Sequence, residues 1–470
     1  MIKIALVGIG LEKYWEQFEG LLERLEGYQN SIARRMLQNE LELINCGIID
    51  TPNKARACSE VLAKNDIDLV FIYVSTYALS ATILPIANKL NVPVIILNLQ
   101  PVASLDYAAF NNINDRGIMT GIWLEHCQSC SVPEIASVFN KAGVRYDIVS
   151  GYLDDSIAWN EIDNWVAAAH VAKSISENRL GVLGHYYNGM LDVYSDLTKH
   201  STVFGTHFEL LEMCELKKIR DAVTAEEISE KLQNFYEAFE VVKECSKAEL
   251  ERAAKTSVAL DKLVQIHDLN SLAYYYEGEA GNDYQNIVTS FIAGSTLLTG
   301  SGIPVAGECE IKNAQAMKIM SSFGAGGSFS EFYLTDFKED VILLGHDGPA
   351  HFAMAEGKVK LVPLPVYHGK PGKGLSIQMS VKNGPVTLLS VVEGNEGIFL
   401  LTAEGHSVEG PVLQIGNTNS RYKFSIGVRD FINSWSKKGP SHHCAIGVGH
   451  IADKIDKLGM LLNIPVVKIC

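Results

Sequence analysis

Between Glu308 and His443 the 470-residue chain places four side chains of metal-ligand type, in Gly307-Glu308-Cys309-Glu310, Ser330-Glu331-Phe332, Gly345-His346-Asp347-Gly348 and Ser441-His442-His443-Cys444. Each is expected in a loop or at the end of an element. Two carboxylates and two imidazoles, with coordination positions left over, suit a divalent ion such as Mn²⁺, Mg²⁺ or Co²⁺. Such an ion is a Lewis acid toward the hydroxyl and carbonyl oxygens of a substrate. Taken singly, each position has an ordinary explanation: a Glu before a helix commonly caps it, and a His after an apolar run is commonly a satisfied core residue. The weight lies on the set of four.

The words around these residues carry a family likeness. Ala306-Gly307-Glu308 with Ile311-Lys312, the helix ending Met317-Lys318-Ile319-Met320, Gly326-Gly327-Ser328-Phe329-Ser330-Glu331, Leu344-Gly345-His346 and Gly439-Pro440-Ser441-His442-His443 occur in that order. Together they resemble the ligand segments of the L-arabinose isomerase family, within the L-arabinose/L-fucose isomerase group. Weaker similarity at Asp68-Leu69-Val70, the Asn91-Val92-Pro93 turn and Gly189-Met190 extends it over essentially the whole chain. The resemblance implies that Glu308, Glu331, His346 and His443 hold a divalent metal, Mn²⁺ first, and that Glu308 and Glu331 are the catalytic acid/base pair. It also implies a sugar substrate and a homo-oligomer, trimer or hexamer, whose pockets are completed across subunits near Cys127 to Glu134.

Substrate contacts are expected at Met190, at His442 beside the last ligand, and at Cys130, which stands where the family has a pocket histidine from a neighbouring subunit. Other departures concern the pocket walls. Gly8-Ile9-Gly10-Leu11-Glu12-Lys13-Tyr14-Trp15 lacks the family's substrate-contacting glutamine, and Asp347-Gly348-Pro349-Ala350-His351-Phe352 has no counterpart. Reaction type therefore transfers better than substrate identity. The expected activity is aldose–ketose isomerisation. The alternatives are an epimerase or isomerase of another pentose or hexose on the same centre, and a non-catalytic sugar-binding protein.

Isomerising an aldose moves a proton between C1 and C2 of an open-chain sugar whose α-proton is weakly acidic. A chelated ion stabilises the enolate charge as it develops. One carboxylate within hydrogen-bond reach removes the C2 proton, and a second shuttles the hydroxyl proton. Glu308 and Glu331 fit that pair.

Composition excludes other classes. Forty basic residues against fifty-five acidic ones give a net charge of −15, the wrong sign for a protein that displaces counterions from nucleic acid. No apolar run approaches the roughly 20 residues that cross a bilayer, so no membrane partner is expected. Met1 to Gly8 reads as a buried first strand rather than a signal peptide. Nine cysteines without framework spacing fit a reducing compartment better than disulfides, giving a cytoplasmic expectation. Cys127-Gln128-Ser129-Cys130 is one C-x-x-C without the second pair that a zinc ribbon needs. Gly8-Ile9-Gly10 has Lys13 where a dinucleotide fingerprint needs its third glycine.

The elements that must position the ligands read as two flavodoxin/Rossmann-like α/β domains, residues 1–175 and 176–326, followed by a C-terminal antiparallel β-barrel over 327–470. Strands at Ile4–Val7, Ile67–Val74 and Val94–Leu97 alternate with helices around Glu16 to Glu26, Lys54 to Lys64 and up to Asn91. Arg179–Gly184 opens the second domain, in which Thr224-Ala225-Glu226-Glu227 starts a helix and a single helix is expected over Asn286–Leu298. Short strands follow at Val341–Leu344, Val359–Leu364, Leu375–Val381, Thr387–Val392, Ile398–Thr402 and Val412–Ile415, with a helix at Val428–Ser436 and a last strand at Ile464–Ile469.

Overall fold

The computed structural model describes the chain apart from Asn91, Ala280, Pro365, His368, Gly369, Gly372 and Lys373, so the turn expected at Asn91 lies outside the described residues. The chain forms two compact units, Met1–Lys173 and Ser174–Cys470.

In the first unit Ile2–Ile9 (β1), Leu41–Ile49 (β2), Leu69–Val74 (β3), Val94–Gln100 (β4) and Tyr146–Tyr152 (β5) make an all-parallel sheet in the order β2-β1-β3-β4-β5. That is the doubly wound, flavodoxin-like order. β1 and β3 are buried almost throughout, which is why they read as continuous apolar runs. β2 and β5 at the edges are half exposed and sent no such signal. Gly8 lies inside β1 rather than in a turn, and a Cβ there would collide with the Gln29 amide. The first long helix is Leu21–Met36, later than expected, because Gly20 at its N-cap takes a left-handed φ of 72° that breaks the helical path before it.

The second unit begins with Arg179–Gly184 (β6) and His207–Leu211 (β7), followed by the two-residue Glu240–Val241 (β8), Ser271–Tyr275 (β9) and Val305–Ala306 (β10). β6, β7, β9 and β10 form a parallel sheet in the order β10-β9-β6-β7. Counted from its own first strand, this is the 2-1-3-4 winding of the first sheet again. The capping box expected at Thr224 is present, with Glu227 closing it. The helix expected over Asn286–Leu298 is broken into Asp283–Val288 and Ile292–Gly300.

The remaining strands are Gly326–Asp336 (β11), Val341–His346 (β12), Lys360–Pro363 (β13), Val366–Tyr367 (β14), Lys370–Pro371 (β15), Leu375–Gln378 (β16), Gly384–Gly394 (β17), Gly397–Val408 (β18), Thr418–Phe424 (β19), His443–Val448 (β20) and Val466–Lys468 (β21). The antiparallel run β17-β20-β11-β12-β19-β18 closes into a six-stranded barrel because β17 also pairs with β18. β21 adds to β18 in parallel, and β13 joins β16 and β8 in a small side sheet. Closure leaves these six strands no open edge. Phe235, Leu250 and Ala253 from the helices before β9 share one apolar cluster with Leu361, Leu388, Leu401 and Ile446. The strand expected at Val412–Ile415 is absent and lies instead at β19, while the helix Val428–Ser436 is present. Two Rossmann-like parallel sheets and a C-terminal antiparallel barrel are thus the fold class expected from the sequence. Among the described residues no helix is long and apolar enough to cross a membrane.

Candidate metal centre

From the end of β10 the chain turns through Gly307-Glu308-Cys309 into the helix Ile311–Ser322. Glu308 and Cys309 both take left-handed backbone conformations, φ 55° and 59°, which cost non-glycine residues about 1–3 kcal/mol each. The turn is pinned where the Cys309 N–H donates to the Tyr274 carbonyl of β9, at 2.9 Å, and the Glu310 N–H to Gly307 O, at 3.0 Å. In this turn the carboxyl groups of Glu308 and Glu310 are both buried. Cys309 and Cys444, beside the ligands, are buried as well; burial pushes both thiols up, Cys309 to about 12, so they serve as neutral packing groups.

Barrel register brings the other three ligand-type residues to one level. β11 runs between β20 and β12, with Glu331 directly opposite His443 on one side and Gly345 on the other. His346 is the next residue after Gly345. Glu331 therefore lies within a long strand, a correction to its expected place in a loop or at an element end. Gly345 has to be glycine, since a Cβ would run into the Thr418 carbonyl of β19. Phe329, two residues before Glu331, packs its ring 4.5 Å from that of His346 and 4.4 Å from that of His443.

The four ligand-type residues converge. His443 Nε2 lies 3.4 Å from Glu308 Oε2, and His346 Nε2 lies 4.0 Å from Glu308 Oε1 and 3.9 Å from Glu331 Oε1. His442 also reaches in, its Nε2 3.5 Å from Glu308 Oε2 and 4.0 Å from Glu331 Oε2. Ligand atoms of Glu308, His346 and His443 lie within 4.8 Å of one another, as do those of Glu331, His442 and His443. Burial opposes ionisation of Glu308, but the imidazoles of His442, His443 and His346 outweigh it and hold the carboxyl below its usual range. Burial likewise opposes a charge on His442, yet Glu308 and Asp192 on its two sides push its pKa up to about 9.

A divalent cation fits this donor set. Glu308 Oε2 and His443 Nε2 are both buried and neither has a hydrogen-bond partner, a state that native interiors avoid unless an ion or water completes it. Glu308, Glu331, His346 and His443 are the residues that would hold such an ion.

Groups around the ligands went unread in the sequence. Asp192 Oδ2 lies 2.6 Å from His442 Nδ1 and accepts the His442 backbone N–H at 3.0 Å. Glu310 Oε2 lies 2.5 Å from His443 Nδ1. Lys312, nearly fully buried, donates to Asp192 O at 2.6 Å and Ser195 Oγ at 3.1 Å. Glu310 and Lys312 were visible as charged residues two and four places after Glu308; Asp192 had no signal. Met190 is half buried in the loop after β6, two residues before Asp192. His450 bonds to Gly405 O, and neither it nor His351 joins the cluster. The glycines at 324, 326 and 327 have positive φ, and a Cβ at Gly326 or Gly327 would strike Met354 or the Met317 carbonyl, so the run serves a tight packed turn.

Cys130 lies in the first unit, exposed, and is joined to Cys127 by a disulfide at the start of the helix Gln128–Ala142. The expectation of a chain without disulfides is corrected at this one pair, whose spacing lets both sulfurs meet across one helical turn. The other seven cysteines are free.

No protein-family model matches the chain. A sulfoquinovose isomerase from Alkalicoccus urumqiensis is 20% identical over 330 residues, which are 69% of this chain and 72% of that protein. Among solved structures, a solute-binding protein of an ABC transporter from Burkholderia multivorans aligns over 59% of this chain and 81% of its own, at 12% identity and a TM-score of 0.16, too low a value to argue from.

Proposed function

We propose that this protein is a metal-dependent sugar isomerase that interconverts an aldose and its ketose. The observation that carries the reading is the convergence of Glu308, Glu331, His346 and His443, with buried donor atoms on Glu308 and His443 that no hydrogen bond satisfies. Similarity to a sulfoquinovose isomerase supports a sugar isomerase and sets sulfoquinovose beside L-arabinose-type aldoses as a substrate to try.

Glu308, Glu331, His346 and His443 would hold a divalent ion, Mn²⁺ first, which would supply Lewis-acid polarisation of the oxygens of an open-chain sugar. Glu308 and Glu331 carry the proton chemistry. One carboxylate takes the C2 proton and the other moves the hydroxyl proton, giving an enediol that is reprotonated at C1. Glu308 is suited to the base role because the surrounding imidazoles keep it ionised despite burial. Glu331 is about one-third exposed and can exchange its proton with solvent or with a sugar hydroxyl. His442, held by Asp192 and partly exposed, orients a substrate hydroxyl, with Met190, two residues before Asp192 in sequence, as the second substrate contact. The working form is a homo-oligomer, trimer or hexamer.

The experiment is incubation of Mn²⁺-loaded protein with a panel of aldoses and ketoses in D₂O, read by NMR. Deuterium incorporated at C1 or C2 together with interconversion supports the reading. A filled metal site with no exchange on any sugar counts against it.

A further inference from the structure

We propose that Glu310 positions His443 for its ligand role; the proposal rests on the metal-centre reading above. Glu310 occupies the N-cap position of the helix Ile311–Ser322, yet its side chain makes no capping hydrogen bond, although a helix N-terminus favours an acceptor there. The side chain is turned inward instead, 1% exposed, with Oε2 2.5 Å from His443 Nδ1. A carboxylate can only accept at that distance. The ring therefore carries a proton on Nδ1, which leaves Nε2, 3.4 Å from Glu308 Oε2, as the nitrogen that a cation would take.

The second carboxylate oxygen, Oε1, makes no hydrogen bond but has a counter-ion. Lys312 Nζ lies 3.9 Å from Glu310 Oε1 and is anchored on the loop carrying Asp192 and Ser195, so the buried negative charge has a buried cation close by. With Glu308 and Cys309 both left-handed, Glu308 and Glu310 face the two ring nitrogens of one histidine from a single tight turn.

His346 provides an internal contrast. Its Nδ1 accepts the Gly348 N–H at 2.9 Å while Asp347 Oδ1 lies 3.3 Å away. A donor and an acceptor compete there, so the His346 tautomer is not fixed by one partner. One carboxylate alone faces Nδ1 of His443, whereas two groups share Nδ1 of His346.

The test measures Mn²⁺ affinity of the metal-free full-length protein by calorimetry, for wild type, Glu310→Gln and Glu310→Ala, together with the visible spectrum of Co²⁺-loaded protein and the melting temperature of the metal-free form. Glu310→Gln, nearly isosteric, keeps the fold and is expected to weaken Mn²⁺ binding about 10-fold, and Glu310→Ala up to about 100-fold, with a changed Co²⁺ spectrum and turnover that recovers as Mn²⁺ is raised. A lower melting temperature with unchanged Mn²⁺ affinity and Co²⁺ spectrum would make Glu310 a structural residue and overturn the proposal alone. Wild-type protein that binds no divalent ion would overturn it together with the function proposed above.

Discussion

The two parallel sheets share the 2-1-3-4 winding but differ in how the polar groups just beyond β3 and β10 are used. After β3, Ser75 Oγ donates to Ile9 O at 2.7 Å and Thr76 Oγ1 to Leu124 O at 2.8 Å, while Ser131 Oγ accepts the Ala78 N–H and Glu134 the Ser80 N–H. Those side chains complete the local backbone. After β10, Glu308 meets His443, the first residue of β20, and both present buried atoms without hydrogen-bond partners. Winding supplies a crevice at strand ends; a site needs convergent groups that the fold leaves unsatisfied.

The largest effect that sharpens this contrast is on turnover. Glu308→Gln and Glu331→Gln are each expected to lower the isomerisation rate about 10²–10⁴-fold at saturating Mn²⁺, the usual worth of a positioned acid or base; steady-state kinetics on the best substrate checks it. Activity within a few-fold of wild type would leave the second sheet's cluster as structural as the first's. Gly345→Ala comes next. Its Cβ would press on the Thr418 carbonyl, so about 1–3 kcal/mol of stability is expected to be lost, with weaker Mn²⁺ binding because His346 is the adjacent residue; denaturant titration and calorimetry read the two.

The sequence reading was most informative where chemistry resides in side-chain type. Glu308, Glu331, His346 and His443 were identifiable as a set because two carboxylates and two imidazoles in those words have few other uses. It failed where tertiary contact decides. β11 opens Gly326-Gly327-Ser328, which reads as a loop, and only pairing with β20 and β12 makes it a strand. β19, Thr418-Asn419-Ser420-Arg421, is polar in sequence yet almost wholly buried by barrel closure, whereas the apolar Val412-Leu413 before it forms no strand. Glu310 looked like an ordinary capping acid, and Asp192 is remote in sequence from His442. The Cys127–Cys130 bond was missed because the argument from compartment outweighed the short spacing.

Smaller effects test the structural side of the contrast. Ser75→Ala removes a buried donor to Ile9 O, with an expected loss of about 1 kcal/mol and unchanged Mn²⁺ affinity; a large fall in affinity would break the distinction between the two sheet ends. Thr224→Ala opens the capping box and is expected to cost about 0.5–1 kcal/mol in denaturant titration without altering the rate at saturating substrate.

On the function proposed above, one bound ion and Glu308 together drive proton exchange on a sugar. That is tested most directly by following solvent deuterium incorporation by NMR in four parallel samples: wild type with Mn²⁺, wild type stripped by chelator, stripped protein with Mn²⁺ restored, and Glu308→Gln with Mn²⁺. Exchange in the first and third samples alone is the predicted result. Exchange that persists in the stripped protein or in Glu308→Gln at the wild-type rate would contradict the account.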